Sequence, residues 1–152
     1  MEPLAKLFGS NARLKTLRLF VFNKEVSFTL AEVAERAKLS KEAVRGEVTE
    51  LTAAGLLRKK GTQTPTRYQT NPRFEHLKSL DTFIRETTSV SPQNMLGALK
   101  RAGALRLVAL SGLFTGVLET QIDLLIVGDH LDERALAVAV HSLEAELGRE
   151  IR

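Results

Sequence analysis

A chain of 152 residues with net charge +4, 43% hydrophobic and 26% charged residues can form one domain or two small ones, and its composition excludes a disordered or fibrous chain. The lack of cysteine excludes disulfides, thiolate metal sites, zinc fingers and thiol nucleophiles, and aromatics at 5% with no Trp argue against a wide stacking platform for single-stranded bases. The charge is uneven: residues 1–72 hold 13 Lys and Arg against 7 Glu, a balance of +6, while residues 73–152 hold 9 basic against 11 acidic, a balance of −2, so a polyanion is expected to meet the first half.

From the N-terminus, Ser10 or Asn11 can cap a helix whose Leu14, Leu17, Phe20 and Val21 fall on one side, ending near Asn23. Gly9-Ser10, in Leu7-Phe8-Gly9-Ser10, has the look of a phosphate-binding turn, but no paired aspartates follow it and a helix does, so it is read as a helix start. Ser27–Thr29 opens a second helix with the stripe Leu30, Val33, Ala34 and Ala37. After Lys38 and Leu39, Ser40 caps a third, in which Ala43, Val44, Val48 and Leu51 face inward until Gly55. Two short helices joined by a tight turn form a helix-turn-helix pattern, whose second helix enters the major groove of DNA. Its DNA-facing candidates are Ser40 at the helix start, then Lys41, Arg45 and Thr49, with Glu42 and Gly46 also outward. Arg45 can fork to a guanine edge, and Thr49 can meet a thymine methyl or a phosphate.

Leu56–Lys60 predicts a strand, Gly61–Pro65 a turn and Thr66–Gln69 the antiparallel return, giving a hairpin that carries Arg58, Lys59, Lys60 and Arg67 as phosphate contacts. LAEVAERAKLSKEAVRGEVTELTAAGLL, the basic turn and RYQTNP occur in order between Thr29 and Pro72. This stretch resembles winged helix-turn-helix transcription regulators of the arsenic-repressor-like type, and the resemblance implies double-stranded DNA as partner. It departs from them at Lys38, where many such proteins have Gly, which predicts a strained or altered turn.

Phe74, Leu77, Leu80, Phe83 and Ile84 predict a linking helix that Thr87–Pro92 interrupts. A helix from Ser91-Pro92, with Met95, Leu96 and Leu99 inward, ends at Gly103. Leu105–Leu110 and Ile122–Val127 are nearly continuous apolar runs, which predict buried strands, and Asp132–Leu147 is a helix with the stripe Leu136, Val140, Leu143 and Leu147. Both apolar runs are far too short to span a membrane, and no secretory leader opens the chain, so a cytoplasmic protein is expected.

The order of these elements, with LVALSGLFTG and QIDLLIVGD, resembles the minimal nucleotidyltransferase fold over residues 92–152. The resemblance implies a Gly-Ser turn for nucleotide phosphates and two aspartates for magnesium. Ser111-Gly112 stands there in reversed order, and the aspartate pair is Gln121 and Asp123. A neutral Gln121 cannot supply a metal-bridging charge, and neither Glu119 nor Asp129 is spaced to replace it, so the domain is expected to be catalytically silent. The chain stops where that family pattern adds a strand; two strands alone are marginal, so the edge is expected to be completed by a partner chain or by further residues of a longer protein. His76, His130 and His141 form no metal or triad pattern, and Ser111 lacks the rest of a nucleophile elbow.

The expectation is an α+β protein: a winged-helix DNA-binding domain (1–72), a linker helix (73–90) and a small α/β nucleotidyltransferase-like domain with a short mixed sheet (91–152). It is expected to be a transcription regulator that binds double-stranded DNA as a homodimer, with the second half for dimerisation or sensing of an unspecified ligand. No cofactor, no metal and no membrane partner are expected. The alternatives are a magnesium-dependent nucleotidyltransferase of the toxin–antitoxin kind and an interaction module without a nucleic-acid role.

Overall fold

The computed structural model describes residues 2–115 and 120–152, and these form seven α-helices and two small antiparallel sheets, an α+β architecture. The chain divides into two compact units, one running to Thr88 and including Leu147–Arg149, the other taking Ser89–Glu146 and Glu150–Arg152.

The first unit begins with a helix that no sequence pattern announced, α1 (Pro3–Leu7), where Pro3 stands in the first turn and Lys6 in the last. α2 (Asn11–Phe22) starts at Ser10, whose hydroxyl oxygen accepts the Arg13 N–H. This helix is buried without a break from Leu14 to Val21. Leu17 and Phe20 join a core with Val33, Val44 and Val48, and Leu14 and Val21 join a second cluster with Ala5 and Ile84. Because α2 is covered on all sides, Lys15, Thr16 and Arg18 are buried too, although they lie off the apolar stripe. Arg18 is tolerated there because its guanidinium is held by the Glu2 carboxylate and the Thr88 hydroxyl. The segment expected to be a linker is α5 (Leu77–Thr87), and its fully buried Ile84 makes it part of this unit's core.

Two residues expected only to open a helix also form a strand, β1 (Phe28–Thr29). Thr29 then caps α3 (Leu30–Ala37) through a reciprocal box: its hydroxyl accepts the Glu32 N–H, and the Glu32 carboxylate accepts the Thr29 N–H. α3 ends at Lys38 with φ 50, the left-handed region; Leu39 N–H donates to the Ala34 carbonyl and Lys38 N–H to that of Glu35. This double closure is a Schellman turn, which normally carries Gly at the left-handed position. Lys38→Gly is therefore expected to raise stability by about 0.5–1 kcal/mol, seen as a higher urea midpoint at unchanged slope.

α4 (Lys41–Ala53) is capped by Ser40 and closed by the same kind of turn, with Gly55 at φ 84 and Leu56 N–H bonded to the Leu51 carbonyl. β2 (Leu57–Lys60) and β3 (Arg67–Thr70) make the hairpin, and the sheet order is β1-β3-β2, so β2 is an edge. Asn71 pins the hairpin's exit to the end of α4: its N–H donates to the Leu56 carbonyl and its side-chain amide to that of Gly55.

In the second unit, α6 (Pro92–Leu99) and a 3-10 turn lead to β4 (Ala104–Leu110); β5 (Leu124–Asp129) and α7 (Glu133–Leu147) follow. The short mixed sheet expected here is, among the described residues, an antiparallel pair of β4 and β5, because the two strands run in opposite directions through the 111–123 connection. β5 begins two residues later than expected, since Asp123 turns inward and ends the alternation. Met95, Leu99, Ala139 and Leu143 form the core, with Leu105, Val108, Leu124 and Ile126 packed on it. Both strands were expected to be buried. Instead α6 and α7 cover one face only, and Leu107, Leu125 and Val127 on the other remain exposed, as do Leu110 at the end of β4 and Leu96 on α6.

Candidate nucleic-acid interface

Helical spacing divides α4 into faces. Val44, Val48 and Leu51 are buried, while Lys41, Arg45 and Thr49 recur every fourth residue along the exposed side with Glu42 and Gly46 beside them. The Ser40 oxygen is occupied by the Ala43 N–H, so this residue sets the helix start. The Thr49 hydroxyl donates to the Arg45 carbonyl at 2.7 Å, which leaves its methyl group as the part best suited to an outside contact.

A third face of α4 holds Glu47, which the sequence reading did not single out. Its two carboxylate oxygens accept from the Ser10 hydroxyl at 2.8 Å and from Arg13 Nε at 2.7 Å, joining α4 to the first turn of α2. No sequence rule pairs residues 37 positions apart.

On β2, Arg58, Lys59 and Lys60 are all exposed. Register puts Lys59 opposite Tyr68, Arg58 opposite Gln69 and Lys60 opposite Arg67. Successive strand residues point to opposite faces, so Lys59 lies on one side of the hairpin and Arg58 with Lys60 on the other. Arg67 was expected on a phosphate, but its guanidinium is already engaged. Nε donates to the Ser27 hydroxyl, and Nη2 donates to the Ser27 carbonyl and pairs with Glu32. Half-burial of Arg67 in the central strand explains this, since a sheltered cation keeps partners within the protein. The Thr29 N–H holds the Glu32 carboxyl below its ordinary range against the opposing effect of burial, and the Thr29 hydroxyl and Arg67 add to the lowering. The first unit's ion pairs include those of Arg13, Arg18, Lys24, Arg67 and Arg85, and among the described residues none is made by the cations of β2 or of the outward face of α4.

In the second unit the residues at the nucleotidyltransferase-like positions are differently employed. Gln121 is exposed, whereas Asp123 is only 1% exposed and both its oxygens are occupied. One accepts the Leu113 N–H at 2.8 Å and Arg152 Nη2 at 3.3 Å; the other accepts Arg152 N–H at 3.1 Å and Nε at 3.0 Å. Burial pushes the Asp123 carboxyl up, but the Arg152 guanidinium and the two amides outweigh it, so its pKa lies below the ordinary carboxylate range. Ser111 N–H donates to the Asp123 carbonyl, and Gly112, at φ 49, packs so closely that a side chain there would overlap the Asp123 carboxylate.

This donor set does not suit magnesium, which needs free anionic oxygens. Among the described residues, no three His, Asp or Glu side chains are placed to share a metal ion. Glu119 lies outside the described residues, and Asp129 is exposed and paired with Arg106. His76, His130 and His141 are exposed, the last hydrogen-bonded to Glu144. Among the described residues no helix is long and apolar enough to cross a membrane. Comparison of the chain with family models, curated proteins and solved structures finds no match.

Proposed function

We propose that the chain is a DNA-binding transcription regulator of the winged helix-turn-helix kind, with α4 entering the major groove and the β2–β3 hairpin as its wing. One observation carries the proposal: among the described residues, exposed Lys41 and Arg45 on α4, and Arg58, Lys59 and Lys60 on β2, stay outside the unit's ion pairs. Cations kept out of internal pairs are free to displace counterions from phosphate, the main source of affinity for a duplex. The +6 balance of residues 1–72 supports the same reading.

The second unit, in this proposal, has the layout of a minimal nucleotidyltransferase without its chemistry and serves dimerisation or ligand sensing. The engagement of both Asp123 oxygens supports a non-catalytic role. A dimer would place two α4 helices about 34 Å apart on a partly palindromic site.

Arg45 tests the proposal. Selection from a random duplex library by purified protein should yield a sequence preference, and Arg45→Ala should relax it at one base position by about 1–3 kcal/mol. Absence of duplex binding, or binding indifferent to salt, would refute the reading. Uniform weakening of all sequences would move Arg45 from base contact to phosphate contact.

A further inference from the structure

We infer that the outer face of the β4–β5 sheet is where two copies of this chain associate, sheet against sheet. An antiparallel sheet with one face in water normally alternates apolar and polar residues. Here the covered positions Leu105, Val108, Leu124 and Ile126 are apolar, and so are Leu107, Ala109, Leu125 and Val127 on the uncovered face. Leu107 is 51% exposed, Leu125 49% and Val127 45%, with exposed Ala109 completing the set. Register places Leu107 opposite Val127 and Ala109 opposite Leu125, so the four side chains form one contiguous patch. Contiguous exposed apolar surface on a folded protein marks a place of association.

Charge at the rim selects a second copy as the occupant. Asp129 lies two residues beyond Val127 on the same face, and Arg106 sits at the irregularity between Leu105 and Leu107. The two are 2.6 Å apart at one end of the sheet, with Arg106 73% and Asp129 49% exposed at the side chain. A two-fold axis parallel to the strands lays β4 of one copy over β5 of the other. It then sets Leu107 against the strand bearing Leu125 and Val127, and Arg106 against Asp129 of the second copy, twice over. A lipid or a neutral peptide would match the apolar patch but offers no counter-charge to these two exposed side chains.

A stable interface takes about 800 Å² from each partner. A face of two strands, seven and six residues long, offers less, so dissociation in the micromolar range is expected. The inference rests on the dimeric half of the proposed function and not on DNA binding.

Sedimentation velocity of the full chain without DNA, from about 1 to 300 μM, tests it. The wild type should pass from monomer to dimer across this range, and Leu125→Glu and Val127→Glu should stay monomeric with unchanged circular dichroism. Arg106→Asp and Asp129→Arg should each dimerise at least tenfold more weakly, because each homodimer faces like charges. An equimolar mixture of the two should recover dimer, since each copy then meets its opposite. A wild type that is monomeric throughout, a dimer indifferent to Leu125→Glu, or a mixture no tighter than its components would overturn the inference. Duplex binding measured on the same proteins separates this outcome from failure of the DNA-binding proposal.

Discussion

Replacing Arg58, Lys59 and Lys60 together by Gln is expected to weaken binding to every duplex by about two orders of magnitude at about 0.1 M salt, without altering which sequence is preferred. The physical basis is counterion release. Each phosphate neutralised contributes about 0.9 to the slope of log affinity against log salt, so the triple variant should flatten that slope by about 2.7. The hairpin's two faces make the experiment more specific. Lys59 shares a face with Tyr68, and Arg58 and Lys60 share the other with Gln69 and Arg67. A hairpin standing between two rows of phosphates uses both faces, so Lys59→Gln alone should cost about 0.9 of slope and Arg58→Gln with Lys60→Gln about 1.8. A hairpin lying along one backbone would register only one of these losses. Arg67→Gln is the internal control. Its guanidinium serves Ser27 and Glu32, so it should cost under about 1 kcal/mol of stability and leave the salt slope unchanged. Fluorescence anisotropy with a labelled duplex at four or five salt concentrations reads all of these.

Asp123→Ala should be the most destabilising single change in the second unit, at about 3 kcal/mol. It removes a buried carboxylate and strands two backbone N–H groups with part of a guanidinium. Denaturant unfolding, with hydrogen exchange at the β4–β5 amides, would measure it. A loss under about 1 kcal/mol would show that Arg152 and Leu113 find water instead. The pH dependence has a fixed sign. Burial raises the Asp123 pKa, and Arg152 with the two amides lowers it further than that, so the folded value lies below the unfolded one. The group's contribution is fully present above its unfolded pKa near 4 and disappears as pH falls through the lower folded value. Glu32 and Asp81 are shifted the same way, so the wild type loses stability at acid pH from several sites. The gap between wild type and Asp123→Asn should narrow as pH falls from 5 to 2, which isolates this one.

The elements that carry local signals were legible in the chain. Ser10, Thr29, Ser40 and Ser91 each begin a helix where a side-chain oxygen can accept an orphaned N–H, and all four do so. Gly55 ended its helix as its position required, Lys38 took up the left-handed cap of ordinary shape where a strained or altered turn was expected, and the basic hairpin followed from its turn residues. What was not legible depends on distant partners. β1 is two residues long and exists because β3 lies beside it. α2 gave an amphipathic stripe, yet it is enclosed on all sides by segments distant in sequence, as the Arg18–Thr88 bond illustrates. Arg67 has the composition of a phosphate contact and the location of a brace, a distinction that only the neighbouring Ser27 and Glu32 reveal. The apolar runs of β4 and β5 identified strands but could not report that just one side is roofed.

Glu47 fixes more than a helix position. Because its carboxylate grips both Ser10 and Arg13, α4 cannot roll about its own axis without breaking two charge-assisted bonds. In the proposed function, a helix clamped this way would meet a duplex already oriented, with little ordering left to do. The calorimetric signature would be a small heat-capacity change set by the contact area alone, in contrast to the large negative value of segments that fold as they bind.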